Sequence, residues 1–278
     1  MSGSDLDTAL DLPPAERIQA LIAFAAAATD PNPKLQQAMV ALIEGGAGAG
    51  KDRLALGEAL GNLGDPRLSA PTEERYWIEV SHDDGPVQVG RYPVTNAEFR
   101  TFVNDGGYDR PELWGQDGKL WLDQAKTKWV DMADQADSGP YVVPNQPVVG
   151  VTWFEARAYA RMFDARLPRF DERLWVTRGS DKRPYPWGSP FGEGNANTQE
   201  EVIGRPCAVG LFVKDATPEG VSDLAGNVAE WNDDGVGSQR WIHPGAWDQP
   251  SMAAWAKARF LEPADSCWAG LGFRLAKD

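Results

Sequence analysis

Few side chains in this sequence are suited to redox or metal chemistry. The chain has two cysteines, Cys207 and Cys267, and two histidines, His82 and His243. Paired soft thiolates select Cu(I), but these cysteines are far apart in the chain, and two distant histidines cannot supply a three-histidine iron site. We therefore expect neither copper nor iron. Two cysteines also do not make a disulfide framework, so both are predicted to be free thiols.

A glycine-rich run, Gly45–Lys51, matches the start of a phosphate-binding P-loop. A functional P-loop follows a strand and ends in Ser or Thr. This run instead follows a helical segment, and Asp52 after it would repel phosphate. We interpret it as a flexible linker between helices. The adjacent carboxylates Asp233 and Asp234 are interpreted as a solvated turn rather than an acid–base pair.

Composition and charge exclude several classes of function. A net charge of −14 over 278 residues disfavours binding to nucleic-acid phosphates or to anionic lipid. No apolar stretch approaches the ~20 residues needed to cross a bilayer. The first residues lack the basic start of a signal peptide, so the sequence predicts a cytoplasmic protein with no nucleic-acid partner and no membrane span.

The elements that must position any site fall into two regions, residues 1–70 and residues 71–278. The first region shows helical periodicity, with Asn32-Pro33 as an N-cap and first helical residue. In the second region, strands are predicted at Tyr76–Val80 and Val87–Tyr92. Thr95 and Thr152 each open a helix with a capping box. Another helix is predicted at Phe170–Thr177, followed by short strands and long loops.

The second region also carries seven short motifs in a fixed order. They are Gly90–Phe99, Gln146–Trp153, Arg166–Glu172, Pro186–Gly188, Gly226–Trp231, Pro244–Trp247 and Gly272–Arg274. Together they resemble the motifs of the formylglycine-generating-enzyme (sulfatase-modifying factor) family. The resemblance implies an α+β, C-type-lectin-like domain with little regular secondary structure, preceded by a small helical N-terminal region.

By the same resemblance, two structural calcium sites are expected. Calcium prefers about 6–8 oxygen ligands from carboxylates, amides and carbonyls, and such an ion would pin a loop that lacks a regular backbone ladder. The implied ligands are Asn197, Thr198, Glu201 and Ile203 for one site, and Asp223, Gly226, Val228 and Glu230 for the other. The alternative is that Asp223 and Glu230 only cap turns.

The resemblance leaves two classes of function open. Oxidases of the family hold copper with a cysteine pair between the last motifs, yet Arg240–Ala264 contains no cysteine. Related sulfoxide synthases use histidine-ligated iron, and the chain has too few histidines for that site. We therefore expect no enzymatic activity. The alternative is an oxygen-dependent oxidase of the formylglycine-generating type or a related enzyme.

A non-catalytic branch of the same fold fits the sequence better. Variable proteins of diversity-generating retroelements resemble this chain in having a helical lead-in and a terminal Gly-Phe-Arg. In those proteins the stretch corresponding to Arg240–Gly270 is hypermutated and displays a ligand surface. Aromatic anchors beside short polar groups are typical of recognition surfaces. The expected ligand-binding residues are Trp241, His243, Asp248, Gln249, Met252, Trp255, Phe260, Glu262, Ser266 and Trp268.

The sequence therefore predicts a non-catalytic protein that binds another protein or macromolecule through residues 240–270. The N-terminal helices are a candidate site for a signalling partner. Trp247 and Phe273 are expected in the core, since they occupy fixed motif positions. Replacing Trp255 and Trp268 by Ala is expected to leave the melting temperature nearly unchanged.

Overall fold

The computed structural model describes residues 3–48, 50–82, 85–124, 128–129 and 141–278. Residues 83–84 of the turn predicted between the first two strands lie outside the described residues. None of the helices in these ranges is long and apolar enough to cross a membrane.

Four helices form the N-terminal region: α1 (Gly3–Leu10), α2 (Pro14–Ala27), α3 (Pro33–Glu44) and α4 (Gly50–Leu63). The predicted cap is present, because the Asn32 side chain accepts a hydrogen bond from the Leu35 amide at 3.1 Å. Helix α1 was not predicted. Each helix turns an apolar stripe inward, so the four helices share one core with Leu21, Met39 and Leu60 at its centre.

This helical core also includes residues from much later in the chain. Cys207, Leu211 and Phe212 pack into it. Gly57 and Gly61 of α4 are tight contact points, since an added Cβ at Gly61 would lie 2.2 Å from the Asn145 side chain. Asn145 in turn donates to the Gly57 carbonyl at 3.0 Å. The helices are thus fastened to the rest of the fold, and both the boundary at residue 70 and a signalling role for the helices stay predictions.

Two small sheets lie in the remainder of the chain. An antiparallel sheet has the order β1 (Trp77–Val80), β2 (Val87–Gly90), β7 (Ala276–Lys277). The other has the order β5 (Phe260–Pro263), β4 (Gln239–His243), β3 (Ala229–Val236), β6 (Leu271–Gly272). In the second sheet, β3 and β6 are parallel and the other pairs are antiparallel.

The last strand, β7, belongs to the same sheet as β1 and pairs with β2, which lies between them. The Phe273 carbonyl accepts from the Val94 amide at 2.9 Å. The C-terminal segment therefore joins both sheets, because β6 extends one sheet and β7 the other.

In the described part of the domain there are four further helices: α5 (Asn96–Asn104), α6 (Gly115–Gln124), α7 (Trp153–Met162) and α8 (Phe170–Arg178). Both predicted capping boxes are present, at Thr95 with Glu98 and at Thr152 with Glu155. Downstream of Arg178, the described residues form short strands and single helical turns rather than α-helices, as predicted.

Aromatic side chains dominate the main core, which lies between α5, α7 and the four-stranded sheet. Buried indole groups need a hydrogen-bond acceptor, and here backbone carbonyls supply it. Trp231 donates to the Val151 carbonyl and Trp153 to the Asn232 carbonyl, each at 3.0 Å. Phe273 is fully buried, as predicted. These contacts fix the loops that lead into the candidate site.

Candidate functional site

The Gly226–Trp231 and Gly272–Arg274 motifs meet at one buried carboxylate, that of Glu230. Glu230 of β3 accepts hydrogen bonds from Arg173 at 2.7 Å and from Arg274 at 2.7 Å. All three side chains are at most 2% exposed. Burial alone would raise the pKa of Glu230, but the charges of Arg173 and Arg274 outweigh it and hold that pKa below its ordinary value. The cluster is therefore a charged Arg–Glu–Arg triad.

Arg274 also ties this triad to two separate backbone segments through three carbonyls. Its guanidinium donates to the carbonyls of Gly90 at 3.1 Å, Ser222 at 2.9 Å and Asp223 at 3.0 Å. Charge-assisted bonds of this kind are stronger than neutral ones. The terminal Gly-Phe-Arg motif thus locks the end of β2 and the loop before β3 to the same point.

The loop before β3 is held by a second buried carboxylate. Asp215 accepts from the amides of Leu224, Ala225 and Gly226 at 2.9–3.1 Å. Burial raises the pKa of Asp215 to about 6. It also raises the pKa of Asp223 to about 7, and the charge of Asp215 contributes to that shift. The loop is organised by these acceptors without a regular ladder.

The Asn227 side chain likewise forms hydrogen bonds to backbone groups, here those of Cys207 in an earlier loop. Its side-chain oxygen accepts from the Cys207 amide at 2.9 Å, and its side-chain nitrogen donates to the Cys207 carbonyl at 3.1 Å. Asn227 has a positive φ of 72°, a conformation that Asn tolerates better than most residues. The Asn of the Gly-Asn pair in this motif therefore allows a left-handed backbone conformation and joins two loops.

At the predicted calcium site of Asp223 and Glu230, the acidic oxygens already accept hydrogen bonds. Both oxygens of Glu230 are bound by arginines, and one oxygen of Asp223 accepts from the Gly210 amide at 2.6 Å. The Gly226 carbonyl accepts from the Val228 amide at 2.9 Å. Two guanidinium groups thus compensate the charge of Glu230, and calcium at this site stays a prediction.

The other predicted calcium site fits better in one respect. The side-chain oxygen of Asn197 is buried and has no hydrogen-bond partner within the described structure, as a metal ligand would. The Glu201 carboxylate, however, accepts a hydrogen bond from the Gly194 amide at 2.5 Å. The Thr198 carbonyl accepts a hydrogen bond from the Glu201 amide at 3.0 Å. Ile203 lies in the same loop. Across the ranges that the structure describes, no three His, Cys, Asp or Glu side chains are grouped to hold a metal.

Three of the predicted ligand-binding residues are strongly exposed. Met252 is 75% exposed, Trp255 46% and Phe260 55%. All three lie on the segment Ser251–Phe260, which begins with a single helical turn and ends at the first residue of β5. The structure therefore exposes three large apolar side chains within ten consecutive residues, which we call the display segment.

Other predicted ligand residues point inward. His243 is only 5% exposed and stacks on Phe170, with ring centroids 4.7 Å apart. Burial lowers the pKa of His243 well below its ordinary value, and the charges of Arg173 and Arg274 add to this. Trp268 is partly buried and packs against the main core. Both side chains therefore contact the core, and their part in ligand binding stays a prediction.

The remaining predicted residues are half-buried and bonded locally. Ser266 donates to Glu262 at 3.3 Å and Gln249 donates to Asp248 at 3.4 Å. Trp241 lies on β4, opposite Leu261 of β5. Trp247, expected in the core, is also only half-buried, and its indole donates to the Ala269 carbonyl at 3.0 Å.

Sequence reasoning missed two cations of the display segment. The Arg259 guanidinium lies 4.5 Å from the centroid of the Trp241 ring and 5.1 Å from that of Phe170. The Lys257 ammonium lies 5.9 Å from the centroid of the Trp255 ring. The available signal was the run Trp255–Phe260 itself, in which cations alternate with small and aromatic residues.

The cysteines do not form a reactive pair. Both thiols are free; Cys207 is buried in the helical core and Cys267 is exposed. Burial raises the pKa of both, that of Cys207 well above its ordinary value. A raised pKa disfavours the thiolate that acts as nucleophile and metal ligand.

Comparison with known proteins places these features in a family. The family model described as "Sulfatase-modifying factor enzyme 1-like domain" matches residues 27–278. The chain is 34% identical to the hercynine oxygenase of Mycolicibacterium smegmatis over 161 residues, which cover 52% of this chain and 36% of that protein. It thus spans about a third of the length of the hercynine oxygenases it matches.

Two further matches are a protein named as inactive and a variable protein. The chain is 29% identical to the inactive C-alpha-formylglycine-generating enzyme 2 of Mus musculus over 216 residues, or 62% of this chain and 70% of that protein. The structure of Treponema denticola variable protein 1 aligns with a TM-score of 0.50 at 17% identity, covering 72% of this chain and 94% of that one. Its fold, the C-type-lectin-like fold predicted from the motifs, is shared.

Proposed function

Since this chain belongs to the sulfatase-modifying factor enzyme 1-like domain family, which includes proteins named as enzymes and as inactive, we propose that it is a non-catalytic member. It binds a macromolecular ligand, in the first place another protein, through the display segment. The observation that carries this proposal is the exposure of Met252 and Trp255 just before β5 and of Phe260 at its first residue, within nine positions of the chain. Large apolar side chains exposed together mark interaction sites.

The anchoring of the display segment supports a role in presentation. Its small residues Ala253, Ala254 and Ala256 are 8%, 3% and 3% exposed, so they face the protein. The Ala256 amide donates to the Pro184 carbonyl at 2.9 Å. At the start of the segment, the Glu200 carboxylate accepts from the Ser251 amide at 2.8 Å. The backbone is therefore held while the large side chains remain free for contact.

Selection from a phage-displayed random peptide library tests this proposal. We expect clones that bind the wild-type chain and lose binding to the triple variant Met252→Ser/Trp255→Ser/Phe260→Ser. The matched control removes three exposed apolar side chains elsewhere, with the substitutions Leu120→Ser, Val202→Ser and Val213→Ser.

The control variant should retain binding, and circular dichroism should show both variants folded. If selected clones bind the two triple variants equally, or if no clone is enriched, ligand binding at the display segment is excluded.

Oxygen-dependent catalysis is the second candidate, favoured by the similarity to hercynine oxygenases. The placement of the thiols argues against a formylglycine-type copper pair, since Cys207 lies in the helical core and Cys267 lies on the surface. We expect no oxygen consumption above background with a cysteine-containing peptide and added copper, or with a thiol, hercynine and added iron. Turnover in the copper assay that Cys267→Ser abolishes, or turnover of hercynine that depends on added iron, would establish an enzyme.

The same proposal includes hypermutation of the stretch 240–270, which contains the display segment. The shared fold with a variable protein supports it. The test is the genomic locus: a neighbouring reverse transcriptase and a near-copy of codons 240–276 that differs at adenines would establish it. A neighbouring sulfatase without such a copy would favour the enzyme instead.

Calcium is proposed only for the loop that contains Asn197. Its buried, unpartnered amide oxygen supports the site, and the Glu201 carboxylate lies in the same loop. Titration calorimetry with CaCl₂ should give binding to the wild-type chain and none to Asn197→Ala. Equal binding by both proteins would place calcium elsewhere.

A further inference from the structure

The display segment differs in charge from the protein that carries it. The whole chain has 41 acidic and 27 basic residues. Ser251–Phe260, in contrast, contains two basic residues, Lys257 and Arg259, and no acidic one. Its exposed side chains are thus apolar or cationic. Charge complementarity across an interface favours a partner of opposite sign.

The Arg259 guanidinium is held in place by rings rather than by a carboxylate. It lies over both Trp241 and Phe170, whose ring centroids are 6.1 Å apart. Phe170 is stacked in turn on buried His243. Aromatic faces attract a guanidinium through their quadrupole and reduce the freedom of its side chain.

The donors of these two cations are available to a ligand. Within the residues that the structure describes, neither Arg259 nor Lys257 forms an ion pair with a carboxylate. The Glu200 carboxylate, which contacts the start of the segment, already accepts from the Ser251 amide. A guanidinium with unused donors matches the planar geometry of a carboxylate, which it binds through two parallel hydrogen bonds.

From these observations we infer that the partner of the display segment is an acidic protein segment in which Asp or Glu alternates with large apolar residues. Its carboxylates would bind Arg259 and Lys257, and its apolar residues would pack on Met252, Trp255 and Phe260. This inference rests on the proposed binding function and specifies its ligand. The acidic remainder of the chain would repel the same partner elsewhere and so confine it to this face.

Fluorescence anisotropy with three synthetic peptides tests the charge requirement. The probe is a labelled twelve-residue peptide of alternating Glu and Phe, and the comparisons replace Glu by Gln or by Lys. We expect binding of the Glu peptide to the wild-type chain, at least tenfold weaker binding of the Gln peptide, and none of the Lys peptide. Binding of the Glu peptide should weaken between low and high NaCl, because exposed charges are screened.

A pair of charge-matched variants locates the contact. Lys257→Gln/Arg259→Gln should weaken binding of the Glu peptide at least tenfold. Lys51→Gln/Lys119→Gln, which removes two exposed lysines elsewhere, should leave it within twofold. Equal loss in both variants would overturn the inference, and so would equal binding of the three peptides.

The outcomes also separate this inference from the proposed function. If phage selection yields clones that require Met252 and Trp255 but are basic or neutral, the display segment binds ligand and the inference about charge is wrong. If the chain binds phosphatidylserine vesicles or an oligonucleotide through Arg259 and ignores the Glu peptide, the partner is not an acidic protein segment.

Discussion

Replacing Glu230 with Gln should destabilise the fold more than any ordinary surface change. The substitution keeps the size of the side chain but removes the single negative charge between Arg173 and Arg274, all three being at most 2% exposed. Removing one partner of a buried ion pair typically costs about 3–5 kcal/mol, because a buried charge is left uncompensated. For a domain of this size, that corresponds to a fall in melting temperature of roughly 6–20 °C.

The assay is thermal and urea unfolding followed by circular dichroism. Glu79→Gln provides the matched control, since Glu79 is exposed on β1 and should change stability by less than about 0.5 kcal/mol. Measurements with added CaCl₂ and with EDTA test the predicted role of Glu230 as a calcium ligand. The effect of EDTA on the melting temperature should be the same in the wild-type chain and in Glu230→Gln.

Two results would refute this account of Glu230. One is a free energy of unfolding for Glu230→Gln within about 1 kcal/mol of the wild-type value. The other is a calcium-dependent melting temperature in the wild-type chain that Glu230→Gln abolishes. The second result would make Glu230 a calcium ligand and would mean that the arginines yield to the ion.

Three further predictions follow from burial and contact. Trp255→Ala should shift the melting temperature little, because Trp255 is 46% exposed, whereas Trp268→Ala should cost roughly 2 kcal/mol or more, since Trp268 packs against the core; thermal unfolding of the two variants compares them directly. The pKa of Asp223 is raised to about 7 in the folded chain from an ordinary value of 3.8, so the folded state binds the proton more tightly and this contribution to stability is lost as the pH rises from about 4 to about 7. Asp223→Asn should remove that loss, so that its stability relative to the wild-type chain increases by up to about 4 kcal/mol between pH 4 and pH 8 in urea titrations; a constant difference would contradict the shift. Gly61→Ala would place a Cβ 2.2 Å from Asn145 and should loosen the N-terminal helices at a cost of about 1–3 kcal/mol, seen as faster limited proteolysis near residue 70.

Local sequence signals predicted the elements that depend on neighbours in the chain. The capping boxes at Thr95 and Thr152 involve residues three positions apart, and both are present. The N-cap at Asn32 is equally local. Helix α6 was missed, since its start at Gly115 carries no such cap signal. The motif order predicted the fold because it summarises many long-range contacts at once.

The chemistry of the candidate site depends on contacts that no local pattern contains. The family resemblance implied Glu230 as a calcium ligand, and carboxylates are among the oxygen ligands that calcium prefers. Which cation approaches it is decided by Arg173 and Arg274, which are 57 and 44 positions away in the chain. The position of His243 likewise depends on a distant contact. In the sequence it is a polar residue of the expected surface, but strand alternation turns its side chain toward Phe170. Burial is a property of the assembled sheet.

The Arg–Glu–Arg triad holds both ends of the stretch between the Gly226–Trp231 and Gly272–Arg274 motifs. We therefore expect substitutions of exposed side chains in this stretch to leave the domain folded. The triad fixes β3 through Glu230 and the C-terminal segment through Arg274, so the polypeptide between them is closed at both ends. Gly245 strengthens this closure, since a Cβ there would lie 2.4 Å from the Ala225 carbonyl.

Within the closed loop, buried alanines alternate with exposed large side chains, as at Ala254, Trp255 and Ala256. Substituting an exposed member changes what a partner meets, while the buried members keep the backbone in place. This alternation of buried and exposed side chains is the arrangement that the proposed recognition role requires.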